Sequence, residues 1–96
     1  MNISESIINN LLMEVDSLTY RLRNIKQCYK ASSNIRLRER LMYESRTINE
    51  RVSQINKVGM SIKNINKDEI SFTSLLIEKT KRTLIESKTE SNLFFL

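Results

Sequence analysis

Apolar residues recur along the first third of the chain at alternating intervals of three and four: Ile8, Leu11, Val15, Leu18, Leu22, Ile25 and Tyr29. That spacing lays one apolar row along one face of an α-helix. Ile7, Leu12 and Met13 widen the row. Asn2 followed by Glu5 fits a capping pair at its start, and Lys26 and Lys30 suit the negative pole of its dipole. The pattern predicts a first helix over residues 3–30.

A second row consists of Leu41, Ile48, Ile55 and Ile62, with Ser45, Val52 and Gly59 between them and Leu37, Val58 and Ile65 at its edges. It is out of phase with the first. Continuing the first row into this region lands on Ser32, Arg36, Glu39, Tyr43, Arg46, Glu50, Ser53 and Lys57, all strongly polar except the tyrosine. One uninterrupted helix would have to bury opposite faces in its two halves. A break at Ala31–Asn34 removes the conflict, and the run Ser32-Ser33-Asn34 supplies turn and capping residues.

Folding back at Ser32–Ser33 brings the two rows into register, with paired positions totalling roughly 66. Ile25 then faces Leu41, Leu18 faces Ile48, Val15 faces Val52, Leu11 faces Ile55, and Ile8 faces Val58 or Gly59. The second helix is predicted over residues 34–65. Glycine inside a helix costs about 1 kcal/mol against alanine. Gly59 therefore reads as a close helix–helix approach, expected opposite Ile8, with a hinge as the alternative.

A second break falls at residues 63–69, where Asn66 and Glu69 form another capping pair. A third helix is predicted over residues 67–88, with Ile70, Phe72, Leu75, Leu76, Ile77, Leu84 and Ile85 as its apolar residues. Its middle offers only Thr80 and Thr83 to a core. The tail, residues 89–96, ends in four apolar residues, Leu93 to Leu96, that either cover the bundle or dock on a partner. The fold class is all-α: a long antiparallel helical hairpin plus a shorter third helix, closed into a coiled-coil-like three-helix bundle. It is expected to form a single domain over residues 1–90.

Composition narrows the possible functions. There is no histidine, and the sequence holds no Cys–His pair, Gly-rich phosphate loop or cluster with metal-ligand spacing. A non-catalytic protein is expected, and no cofactor, metal or small-molecule substrate is inferred. Cys28 is the single cysteine, so no internal disulfide forms, and it reads as a passive thiol in a reducing cytoplasm. No segment approaches the roughly 18 consecutive apolar residues of a membrane span, and the N-terminus lacks a signal-peptide pattern.

The net charge is +5, and residues 21–40 hold seven bases against the single acid Glu39. Lys26, Lys30, Arg36, Arg38 and Arg40 would gather around the hairpin turn. The three arginines oppose the dipole of the second helix, which an anion or acidic partner at the tip would offset. The plainer reading is a solvated tip with Arg40 and Glu44 paired at i,i+4.

Two classes of function follow. The first is protein–protein contact through helix faces. Because the thin apolar face of the third helix leaves parts of the hairpin rows uncovered, a homo-oligomer is expected, a dimer first. The alternative is an acidic protein, RNA or DNA held at residues 21–40. No recognised nucleic-acid motif is present, and Tyr29 is the only aromatic close to the tip.

Overall fold

The structure, a computed structural model, describes residues 3–65 and 70–89, with side chains at 5–64 and 72–87. It contains three helices, α1 (Ile3–Ala31), α2 (Ile35–Ile65) and α3 (Ile70–Thr89), each packed on the other two as a three-helix bundle. The expected cap at Asn2, the capping pair Asn66–Glu69 and the tail residues Leu93–Leu96 lie outside the described residues.

The phase reversal is resolved where the two rows conflict. Ser32 N donates to Cys28 O at 3.0 Å, closing α1. Asn34 N donates to Ser32 Oγ at 3.1 Å, and Leu37 N donates to Asn34 Oδ1 at 3.2 Å. Asn34 is thus the N-cap of α2, and its carbonyl accepts the first helical bond, from Arg38 N at 3.0 Å. The turn residues Ser32, Ser33 and Asn34 include no glycine, and no non-glycine residue among those described has a positive φ.

α1 and α2 run antiparallel. Arg51 Nε and Nη2 donate to Glu14 Oε2 and Oε1 at 2.6 and 2.9 Å across the pair, which places the observed register beside the expected one. The interior forms two apolar clusters. Near the turn, Leu22, Ile25, Leu41, Ile48 and Val52 are buried, with Leu18, Tyr29 and Leu84 packed against them. Away from the turn lie Ile8, Val15, Ile55 and Leu76, flanked by Leu11, Leu12 and Ile62. The expected partners Ile25 and Leu41, Leu18 and Ile48, and Leu11 and Ile55 share clusters, whereas Val15 sits with Ile55 and not in the cluster of Val52.

Two expectations need correction. Gly59 does not make its close approach to Ile8. A Cβ there would stand 3.3 Å from Ile77 Cγ1 and 3.4 Å from Leu76 Cδ2, so the glycine admits α3. Nor does the polar middle of α3 leave the hairpin rows bare. Ile8, Val15, Leu22, Ile25, Leu41, Ile48, Val52 and Ile55 are all buried within the one chain.

The cover comes from residues the apolar pattern did not count. α3 turns Thr73, Leu76, Ile77, Thr80, Thr83 and Ser87 inward, all buried, while Phe72, Leu75 and Ile85 face out. The inward positions follow helical spacing, but hydroxyls occupy four of these six. Each helix of the hairpin answers with a polar side chain. Thr19 Oγ1 lies 2.7 Å from Thr83 Oγ1, Asn56 Nδ2 donates to Thr80 Oγ1 at 2.8 Å, and Asn49 Nδ2 donates to Ser87 Oγ at 2.8 Å. Thr19 and Thr83 also approach their own helix carbonyls, Val15 O at 2.8 Å and Lys79 O at 3.0 Å. A hydroxyl carries one hydrogen, so two hydrogens are shared among three contacts.

Charges flank this seam on the α1 side. Lys79 Nζ meets Asp16 at 2.8 and 3.0 Å, and Arg23 grips Glu86 through Nε and Nη2 at 2.9 and 3.1 Å. The Arg23 hydrogen bonds hold the Glu86 carboxyl below the ordinary glutamate range, and those of Arg51 do the same for Glu14. Both carboxylates are about a third exposed, so solvent limits what each pair contributes.

The Asn56–Thr80 bond offers a direct test of the hydroxyl seam. Thr80 has no solvent exposure. Thr80→Val should lower stability in urea unfolding by about 1–3 kcal/mol, because it strands the Asn56 amide beside an apolar wall. Adding Asn56→Leu should recover most of the loss. A Thr80→Val protein as stable as the parent would show that the bond contributes nothing.

Candidate interaction face

The five basic residues expected at the hairpin tip do not form one cluster. Lys26 is buried, and its Nζ donates to Glu86 O at 3.1 Å. It thereby binds a carbonyl near the C-terminal end of α3, where a cation suits the helix dipole, and it belongs to the bundle. Lys30, in the last turn of α1, is exposed and lines a shallow groove with Glu86. Arg38 is half-buried, its guanidinium 4.2 Å from the centroid of the Tyr29 ring. This cation–π contact fastens the first turns of α2 to the last of α1. The Tyr29 hydroxyl in turn points at Met42 Sδ, 3.8 Å away.

Arg36 and Arg40 remain. Both are exposed, and among the described residues neither has an ion pair within 4 Å. The expected Arg40–Glu44 pair is therefore not formed. An arginine placed four residues before a glutamate is the weaker order on a helix, and the exposed side chains gain little by closing.

These arginines open onto the side of the hairpin that α3 does not reach. An open groove of about 520 Å³ runs along the α1–α2 seam, floored by Leu18 and Ile48 and walled by Arg21, Tyr43 and Arg51 among others. No described residue of α3 lines it. Tyr43 and Glu44 also wall a second recess that includes Arg36, Glu39 and Arg40. Tyr43 is 72% exposed, a large amphipathic ring held out from a rigid helix. Cys28 is exposed as well. Among the described residues no three metal-binding side chains converge, and no helix is long and apolar enough to cross a membrane.

The sequence pattern held the signal for this face. Continuing the α1 row through the turn marks Arg36, Glu39, Tyr43, Arg46 and Glu50. They cannot be interior positions once the chain folds back, and all five are exposed. By contrast, nothing in apolar spacing marks Thr19, Asn49 and Asn56 as the hairpin's partners for α3.

The two arginines at the tip should separate by function. Arg36→Gln should leave the urea midpoint unchanged or raise stability by a few tenths of a kcal/mol, since it removes a cation that opposes the α2 dipole. Arg38→Gln should lower stability by about 0.5–1 kcal/mol through loss of the Tyr29 contact. Equal effects at both positions would contradict this division.

No family model matches the chain, and no curated protein or solved structure matches it significantly.

Proposed function

We propose that this protein is non-catalytic and works by binding another protein chain, a second copy first, through the open α1–α2 face. The observation that carries the reading is the exposed Tyr43 beside the seam groove, on the one side of the hairpin without a third helix. Its ring sits between Arg36 and Arg40 on one side and Thr47 and Glu50 on the other along α2. Tyrosine and arginine are the residue types that most often dominate protein interfaces, because they supply large contact area at low conformational cost. The interior positions of the hairpin rows are buried, but Ile7 and Met13, which widen the α1 row, stay exposed, so part of the reason to expect a second copy stands. An exposed aromatic residue on a rigid face supplies another.

The polyanion reading is less well supported by the same face. Glu39 and Glu44 stand among Arg36 and Arg40, and they would repel phosphate. Lys26 and Arg38 are engaged inside the fold. Binding that rests on phosphate neutralisation needs a patch of one sign.

Light scattering over a concentration series tests the proposal. The parent protein should move from monomer toward dimer in the micromolar range. Tyr43→Glu should remain monomeric at the same concentrations. Its unfolding midpoint should stay within about 0.5 kcal/mol of the parent, as expected of an exposed position. A Tyr43→Glu protein that associates like the parent would remove this face from the account.

A further inference from the structure

The outer face of α2 carries six charges between positions 36 and 50: Arg36, Glu39, Arg40, Glu44, Arg46 and Glu50. Three are positive and three negative. Glu44 is half-buried and the other five are exposed. Among the described residues none of the six has an ion pair within 4 Å. Two opposite-charge couples, Arg40 with Glu44 and Arg46 with Glu50, even have i,i+4 spacing and remain apart. A charged face of this kind is ordinarily just solvated. Its arrangement here is not random, however, and it has a centre.

Arg36, Tyr43 and Glu50 recur every seven residues and so stand in a row on one side of the helix. Tyr43 is the midpoint, with a cation about 10.5 Å to one side and an anion the same distance to the other. A twofold axis beside Tyr43, perpendicular to α2, reverses the helix and leaves each lateral edge facing its own counterpart. Arg36 then meets Glu50 of the partner subunit. Arg40 and Glu44 lie on the edge nearer α1, and the axis sets Arg40 opposite Glu44 of the partner subunit. Glu39 and Arg46 lie on the other edge, and Glu39 meets Arg46 of the partner subunit. The position numbers of these three couples total 86, 84 and 85, against 86 for Tyr43 with itself. All six charges thus find a partner of opposite sign, and no like charges are set opposite each other.

We propose that α2 pairs antiparallel with α2 of a second copy about a twofold axis at Tyr43. The two tyrosines meet at the centre, and Arg36, Arg40 and Arg46 are matched to Glu50, Glu44 and Glu39 of the partner subunit. This rests on the reading of the α1–α2 face as a protein contact and names the partner and its orientation. The twofold relation is the one under which a single surface is complementary to itself. A parallel pairing in register would set each charge against its like. The charges fix register and orientation, and the tyrosine supplies the central contact.

Charge exchange tests the pairing. One variant carries Arg36→Glu and Arg40→Glu, the other Glu44→Arg and Glu50→Arg. All the substituted side chains lie outside the two apolar clusters. Alone, each variant sets like charges opposite each other, and its self-association measured by sedimentation should weaken by about tenfold or more. Mixed in equal amounts, the two should form a heterodimer at least as readily as the parent forms its dimer, and raised salt should weaken it. Unchanged self-association of the separate variants would overturn the pairing. If Tyr43→Glu still abolished association, the face itself would stand. Failure of the mixture to associate, or a parent that stays monomeric, would also overturn the proposal.

Discussion

The structure depends on one constraint: the apolar row of α1 and that of α2 lie on opposite faces of any single helix drawn through both. Burying both requires the chain to reverse between them. The reversal sets the position of the turn, and the turn sets the register. The same reversal decides what is left outside. The face that continues the α1 row past the turn becomes the outer surface of α2, where Arg36, Tyr43 and Glu50 stand in line. Interior and candidate interaction face are therefore two results of one phase relation.

The third helix follows a different rule. It meets the hairpin through hydroxyls and amides as much as through apolar side chains. Gly59 lets it approach closely at one point, where Leu76 and Ile77 take the space a Cβ would fill. Such a polar seam contributes less transfer energy per residue than leucine would. In exchange it specifies position, because each polar group needs its partner in place. Asn49 shows the limit of the arrangement, since its Oδ1 is buried without a hydrogen-bond partner among the described residues. The ion pairs from Asp16 and Glu86 flank the seam but are exposed enough to serve mainly as orienting contacts.

Much of this architecture was legible in the sequence. The alternating three-and-four spacing of α1 and α2 marked both helices, and the clash of phases marked the turn, because burial has a period that can be counted. The face of α3 was not legible in that way. Phe72, Leu75 and Ile85 are apolar but point outward, while Thr73, Thr80, Thr83 and Ser87 are polar but point in. A count of apolar residues ranks these groups in the wrong order, and only the positions of Thr19, Asn49 and Asn56 on the hairpin reveal why. The basic tip was visible as composition but not as geometry. Lys26 and Arg38 are spent inside the fold on a carbonyl and an aromatic ring, partners that no charge count identifies.

The fold and its outer face both stand on the reversal of the chain, and a distance across the hairpin tests it most directly. Spin labels can be placed at Met13 and Gln54, both exposed, in a protein carrying Cys28→Ser and diluted with unlabelled chain. Helices packed side by side predict a separation of about 15–25 Å, given interaxial distances near 10 Å and the reach of the labels. A single continuous helix through the region would place them about 60 Å apart at 1.5 Å per residue. That longer distance would contradict the register, the buried clusters and the outer face together.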